Sequence, residues 1–215
     1  MDFVSAVGTI RRPITLAAVG LCAVACSGGG SGRTTAAPPA STAPAGAGAT
    51  ASTTPAATET PPPGDIPDTT VYVAYRPASG QYQVKVPEGW ARTVSPAGVS
   101  FTDKLNTITI RTVRAAAPEA ASARSTEVPQ IRGSAHGFSL TGISTVSRPA
   151  GTVVLIRYSA DSQPDPVTGK VFRDAVERYE FYRNGTEAVV ILAGPAGADN
   201  VDPWRTVTDS FRWLR

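Results

Sequence analysis

Few side chains in this sequence have the chemical type and spacing that catalysis requires. The only histidine, His136, follows Ser134 by two residues, and no acidic residue beside them would orient a Ser-His-Asp triad. The sequence also lacks the Gly-x-Ser-x-Gly turn that exposes a serine nucleophile between a strand and a helix. We therefore interpret His136 as a histidine of a surface loop.

A second possible chemistry is glycoside hydrolysis, which needs a pair of carboxyl groups. The acidic residues close enough in sequence to form such a pair are Asp174, Glu177, Glu180 and Glu187. On a strand, residues 174 and 180 share one face and residue 177 takes the other. The interleaved Arg173, Arg178 and Arg183 favour cross-strand ion pairs on a solvated face. Structural ion pairs are thus the preferred interpretation, and a carboxylate-dependent hydrolase is an alternative.

Residues 161–170 contain acidic residues at a spacing similar to that of a calcium loop. Pro164 and Pro166 and the absence of a final glutamate ligand argue against an EF-hand. With a single histidine in the chain, we predict no metal and no cofactor. The segment is instead predicted to be a loop between two long strands, and ordered loops often carry function. Its candidates for contact with a partner are Asp161, Asp165, Thr168 and Lys170.

The charges of the chain argue against nucleic acid as a partner. Residues 69–215 contain 17 basic and 13 acidic residues, and the basic ones are dispersed among predicted strands. Nucleic-acid binding would require them to cluster with aromatic residues. A weak attraction to anionic lipid or wall polymer is permitted by this balance.

The elements that must position these side chains occupy only the second part of the chain. In residues 27–68, all but five positions are Ala, Thr, Pro, Gly or Ser. Such a composition cannot bury enough apolar surface to offset the entropy of ordering the chain. We therefore predict a disordered tether over residues 26–68 and one folded domain over residues 69–215.

Residues 1–25 are typical of a secretory signal peptide. Arg11 and Arg12 supply its positive region, and an apolar run from Ile14 to Ala25 follows. Twelve residues are too few to cross a hydrocarbon core of roughly 30 Å as a helix. The sequence therefore places the domain outside the cytoplasm. The arginine pair leaves both the general secretory and the twin-arginine route open, and we favour the first.

The end of this run, Ala23-Val24-Ala25-Cys26, resembles the lipobox of bacterial lipoproteins, although leucine is usual where Ala23 stands. The resemblance implies cleavage before Cys26 and diacylation of its thiol. Two acyl chains anchor a protein stably to a membrane. An ordinary cleavable signal with an unmodified Cys26, or an uncleaved anchor, are the alternatives. Cys22 leaves with the signal peptide, so no disulfide is predicted.

The folded part reads as strands with two helical interruptions. Apolar and polar residues alternate, with β-branched types enriched, which is typical of half-buried strands. The predicted strands are 71–75, 82–86, 99–103, 107–113, 138–146, 152–160, 171–183 and 187–193. Asn184-Gly185 predicts a type I′ hairpin turn between the last two. Helices are predicted from Pro118 to about Ile131 and from Pro203, with Asp199 or Asp202 as the cap of the second.

The stripe Trp204, Val207, Phe211 and Leu214 predicts that this last helix docks on the sheet. The predicted fold class is α+β, an antiparallel sheet of seven to nine strands with helices packed on it.

Two parts of the domain resemble known families. The segment Gln81 to Trp90, with its Pro87-Glu88-Gly89-Trp90, and the following Gly98 to Asp103 are similar to the opening of PsbP-like and Mog-like domains. The segments Arg178 to Gly185 and Gly194 to Trp213 are similar to actinobacterial lipoproteins of LpqN type. The resemblance implies an α-β-α sandwich with binding or assembly roles, and it brings no shared active site.

Together these observations predict a lipid-anchored envelope protein, not an enzyme, whose domain binds or scaffolds. Its expected partners are the membrane, through the lipid on Cys26, and an unidentified envelope protein, lipid or wall polymer. A carrier or sensor of an apolar envelope ligand is the first alternative. The carboxylate-dependent hydrolase is the second.

Overall fold

The computed structural model describes residues 62–165 and 167–214. The predicted signal peptide, Cys26 and the tether up to residue 61 lie outside the described residues. The predicted fold class is confirmed, because antiparallel sheets carry short helices packed on them.

The described residues form ten strands and two helical regions. The strands are β1 (Tyr72–Tyr75), β2 (Tyr82–Pro87), β3 (Ala91–Ser95), β4 (Gly98–Asp103), β5 (Asn106–Arg114), β6 (Ser139–Arg148), β7 (Gly151–Asp161), β8 (Arg173–Arg183), β9 (Thr186–Pro195) and β10 (Arg212–Trp213). The first helical region comprises α1 (Ala120–Ser122), a π-helical turn (Ala123–Glu127) and α2 (Val128–Ser134). The second is α3 (Val201–Ser210).

The strands form two antiparallel sheets. The large sheet has the order β3-β4-β5-β9-β8-β7-β6, and the small one has the order β1-β2-β10. The predicted hairpin turn between β8 and β9 is confirmed, since Asn184 and Gly185 have φ values of 49° and 77° and Arg183 pairs with Thr186. Both residues tolerate the positive φ that this turn requires.

Both faces of the large sheet are covered. One face, here called the α3 face, packs against the small sheet and α3 through residues such as Leu155, Phe181 and Trp204. The opposite face, the α2 face, packs against the first helical region through Ile156, Val176 and Val128, among others. Interior strands such as β7 are therefore buried on both sides, and Val153–Ile156 are buried without alternation.

Residues 62–68, here called the strap, differ from the expectation that they belong to the tether. Ile66 is 6% exposed and packs in the core of the α3 face. The Ile66 amide donates to Asn200 Oδ1 at 2.9 Å, and Asn200 Nδ2 donates to the Gly64 carbonyl at 3.0 Å. Ile66 is the only large apolar residue in the run of small and polar ones, so it supplies burial that its neighbours do not.

The start of α3 is capped differently from the prediction. Asn200 is the N-cap residue, and no side chain caps the helix. The side-chain Nδ2 of Asn200 instead donates to the Gly64 carbonyl of the strap and to Asn106 Oδ1, each at 3.0 Å. The prediction that Asp199 or Asp202 caps this helix was therefore wrong.

The end of α3 also differs from the prediction, because the helix stops at Ser210. Phe211 then stacks on Tyr82 and Phe181 at centroid distances of 5.3 and 4.2 Å, and the chain continues as strand β10 beside β2. Leu214 thus lies beyond the helix. Within residues 62–165 and 167–214, no helix has the length and apolar character that crossing a membrane would need.

Candidate binding site

The carboxylates predicted on a solvated face are mostly buried. Glu180 is fully buried, Glu187 is 8% exposed and Asp174 is 9% exposed, all on the α2 face beneath or beside the first helical region. The prediction of a solvated face was wrong because sequence alternation does not reveal that a helical segment covers this side. Glu177 points to the α3 face, as the alternation predicted.

Glu180 belongs to a buried ionic cluster on the α2 face. Arg178 Nε donates to Glu180 Oε1 at 2.8 Å, and both side chains are almost completely buried. Burial raises the pKa of Glu180 and of Glu187, with Arg178 acting in the opposite direction, and burial lowers the pKa of Arg111. Charges of both signs meet here, as expected for a structural network.

Glu177 lies in a groove of about 540 Å³ beside α3. It accepts hydrogen bonds from Arg157 Nε at 2.8 Å and from the Tyr179 hydroxyl at 2.7 Å. Burial, followed by the Glu177 carboxylate, raises the pKa of Tyr179 to about 12. These three polar groups bond to one another, so the Glu177 carboxylate is satisfied by its neighbours.

The histidine and serine considered for nucleophilic catalysis are not arranged for it. The Ser134 hydroxyl donates to the Gln130 and Ile131 carbonyls of its own helix at 3.2 and 3.1 Å. His136 is exposed, and its carbonyl accepts from the Asp161 amide. Among the described residues, no group of three or more His, Cys, Asp or Glu side chains is placed to hold a metal ion.

The predicted loop, residues 162–172, joins β7 to β8 and stabilises itself. Asp165 Oδ1 accepts from the Val167 and Thr168 amides and from the Thr168 hydroxyl, at 2.7 to 3.1 Å. These bonds, led by the Thr168 amide, lower the pKa of Asp165. Asp161 pairs with Arg173 at 3.1 Å. Both carboxylates suggested by the calcium-like spacing are therefore occupied by protein groups.

The loop forms one wall of a cavity of about 390 Å³, here called the Asp174 pocket. The other walls are the turn between β4 and β5, the end of α2 and the α2 face of the large sheet. The pocket is lined by Thr102, Lys104, Leu105, Thr107, Ala135, Tyr158, Ala160, Asp161, Ser162, Gln163, Pro164, Asp165, Phe172, Asp174, Val176, Ile191 and Ala193.

Asp174 is the unusual group of this pocket. In the sheet it lies between Ala160 of β7 and Pro195 of β9, whose side chains carry no hydrogen-bonding group. Its Oδ1 atom is buried and has no hydrogen-bond partner among the described residues. Burial, and then the charge of Asp161, raise the pKa of Asp174 from 3.8 to about 6. A buried carboxyl group without a partner is costly for a fold, so it marks a candidate site.

Two of the four loop residues proposed from the sequence, Asp161 and Asp165, line this pocket, whereas Thr168 and Lys170 are exposed outside it. The sequence did not single out Asp174 as a binding residue. The available signal was that Asp174, two residues before Val176 in a predicted strand, shares a strand face with this apolar residue. Neither of the larger cavities, of about 540 and 740 Å³, contains a buried side-chain atom without a partner among the described residues.

No protein-family model matches the chain, and no curated protein matches it. Solved structures with a similar fold include PsbP from Synechocystis sp. PCC 6803, with 15% identity over 71% of this chain and 99% of that chain and a TM-score of 0.48. The Ran-binding protein Mog1p from Saccharomyces cerevisiae has 11% identity over 67% of this chain and 96% of that chain, with a TM-score of 0.45.

LpqN of Mycobacterium tuberculosis, described as involved in cell envelope biogenesis, has 13% identity over 69% of this chain and 93% of that chain, with a TM-score of 0.42. These structures include the folds that the sequence resembles. Similarity at this level concerns the fold and implies nothing about a shared ligand or partner.

Proposed function

We propose that this chain is a lipid-anchored, extracytoplasmic binding protein whose Asp174 pocket holds a small ligand without transforming it. The observation that supports this most directly is the pocket itself, because an apolar floor with one buried, unpartnered carboxyl group is typical of ligand sites. Its volume of about 390 Å³ is sufficient for a small organic molecule. Anchoring at Cys26 and export are proposals from the sequence.

The same geometry disfavours the hydrolase alternative. A glycosidase needs two carboxyl groups that face the same bond. Asp161, the second acidic residue of the strands at this pocket, is paired in the sheet with Arg173 and not with Asp174. It is also held by the Arg173 guanidinium. Asp174 is thus left without a catalytic partner, and a carrier or sensor of an apolar ligand fits the pocket better.

A second candidate is contact with an envelope protein, lipid or wall polymer through the outer side of the β7–β8 loop. Thr168 and Lys170 are exposed there, and Val167 and Val171 are 90% and 52% exposed. Exposed apolar side chains on an ordered loop are typical of interaction surfaces.

The binding proposal predicts that a neutral apolar dye enters the pocket. N-phenyl-1-naphthylamine should bind the full chain with increased fluorescence, and Ala193→Trp should weaken this binding by about tenfold or more, because the indole fills space above the floor. Ala160→Leu is a milder second variant. Val94→Trp on β3 is the control, since Val94 is 69% exposed and outside the pocket. Equal dye binding by all variants would contradict the assignment.

The anchor proposal predicts a change of cell fraction. Without the Cys26 thiol, diacylation has no acceptor, so Cys26→Ser should move the protein from the membrane to the soluble fraction. Fractionation followed by immunoblotting measures this, with Cys22→Ser as the control, since Cys22 precedes the expected cleavage site. Retention of the Cys26→Ser protein in the membrane would exclude this anchor.

A further inference from the structure

We propose that the ligand of the Asp174 pocket carries an ammonium group on an apolar body, and that Asp174 is its counterion. This inference rests on the proposed binding function and adds the chemical class of the ligand. It derives from the charges and the aromatic side chains that the fold brings together around one buried carboxyl group.

The first observation is that no basic side chain of residues 62–165 and 167–214 is bonded to Asp174. Lys104 is the one basic residue among those that line the pocket, and it lies exposed on the β4–β5 turn without a hydrogen bond to Asp174. Arg173, the adjacent residue, donates instead to Asp161, to Ser159 and to the Gly137 carbonyl. Among the residues that the structure describes, Asp174 Oδ1 therefore has no donor. A ligand that brings a positive charge would complete the pair.

The second observation is the chemistry of the surrounding walls. Tyr158 from β7 and Phe172 from the end of the loop line the same pocket, together with Val176 and Ala193. Aromatic rings attract ammonium groups through their quadrupoles, and the attraction strengthens where water is excluded. Burial raises the pKa of Tyr158, so its hydroxyl stays neutral and does not compete as an anion. An acidic group with aromatic and aliphatic walls suits an alkylated amine.

Other ligand classes fit less well. An anion would meet Asp174 and the rim carboxylate of Asp165, both of the same sign. A neutral hydroxyl or amide could donate to Oδ1 and would leave the buried charge uncompensated. Only a cationic donor supplies both the hydrogen bond and the charge.

An empty pocket should then weaken the fold, which can be measured on the protein alone. The pKa of Asp174 in the fold, about 6, lies above its ordinary 3.8, so the folded state binds the proton more tightly. The stability that protonation supplies is present at pH 4 and is lost as the pH rises through about 6. Asp174→Asn should therefore melt above the wild type at pH 8, and the difference should close at pH 4.

Ligand binding should show the opposite dependence. The groups that face Asp174 are Asp161 and Tyr158 from β7, Asp165 from the loop and Lys104 from the β4–β5 turn. Burial, and then the charge of Asp161, raise the pKa of Asp174 to about 6. Affinity for an ammonium ligand should therefore fall as the pH decreases through about 6, since protonation removes the counterion.

The test compares two probes of equal shape, benzylammonium, whose N–H groups can donate to Asp174 Oδ1, and its neutral isostere ethylbenzene, by NMR titration of the full chain at pH 8. The cation should bind at least about tenfold more tightly than the neutral isostere. The amide signals of Phe172, Val176 and Ala193 should shift on binding. Asp174→Asn should remove the preference and leave ethylbenzene binding unchanged. Asp202→Asn, an exposed carboxylate on α3, should retain the preference.

The outcomes separate this inference from the proposed function. Equal binding of both probes, or a preference that survives Asp174→Asn, overturns the ammonium assignment while the pocket stands as a binding site. If neither probe nor the naphthylamine dye binds, both proposals fail. The pH profile of the wild type needs no variant, and a cation affinity that is constant from pH 8 to pH 5 also overturns the assignment.

Discussion

Arg178→Met should lower the free energy of unfolding by about 3–5 kcal/mol at pH 7. Arg178 is the residue that donates to Glu180, and the exposed fractions of the two side chains are 7% and 1%. Without the guanidinium, Glu180 must either carry an uncompensated charge in the interior or take up a proton, and both cost free energy of folding. The loss should shrink towards pH 4, because protonation of Glu180 then removes the buried charge.

Urea unfolding followed by circular dichroism measures this effect, and the chain offers a matched control. Arg157 Nε lies 2.8 Å from Glu177 Oε1, the same distance as in the buried pair, but the Arg157 side chain is 50% exposed. Arg157→Met should therefore cost only about 0.2–1 kcal/mol. The double variant Arg178→Met, Glu180→Leu should recover most of the loss, because an apolar pair needs no charge compensation. Equal losses for Arg157→Met and Arg178→Met would contradict the role assigned to burial.

Trp204→Ala should lower the free energy of unfolding by a similar amount, about 3–5 kcal/mol. Trp204 is 8% exposed in the first turn of α3, and it packs in the core that also contains Ile66, Val207 and Phe211. Truncation would leave a cavity between α3 and the large sheet, because the surrounding core residues can relax only partly into the space.

Thermal and urea unfolding of Trp204→Ala measure this loss. Val201→Ala is the control on the same helix, because Val201 is 72% exposed and should change the stability by about 0.5 kcal/mol or less. A Trp204→Ala protein that unfolds with the wild type would show that α3 is not docked as described.

The local pattern of the sequence predicted most of the strands because their signals are short-range. Alternation marked β2, β4 and β5, and Asn184-Gly185 marked the β8–β9 hairpin. Strand β3 was missed because all five of its residues are exposed, so it has no apolar face to detect. Strand β10 was missed because it has only two residues and because the helix-like spacing of apolar residues continues through it to Leu214.

The errors about the site have a different cause, which is tertiary contact. Glu180 and Glu187 have arginines nearby in the sequence, a pattern that is typical of a solvent-exposed strand face. Only the position of the first helical region shows that the two carboxylates are buried. Asp174 could not be recognised because its significance is a missing partner, and a missing partner is visible only when every neighbour is placed. Asn200 likewise takes its role from Gly64 and Asn106, which are far away in sequence.

The strap has a mechanical consequence. A force applied to the chain before residue 62 acts on residues 64–66 before it acts on β1. The first contacts to bear it are the hydrogen bonds from Asn106 and Asn200 to the Gly64 carbonyl and the packing of the buried Ile66. Because these contacts are few, we expect them to break under such a load before the hydrogen bonds of the large sheet do. Gly194 lets Asn106 approach closely, since a Cβ there would lie 2.3 Å from Asn106 Oδ1. We therefore expect the strap to be the first part of the described domain to detach when the chain before it is pulled.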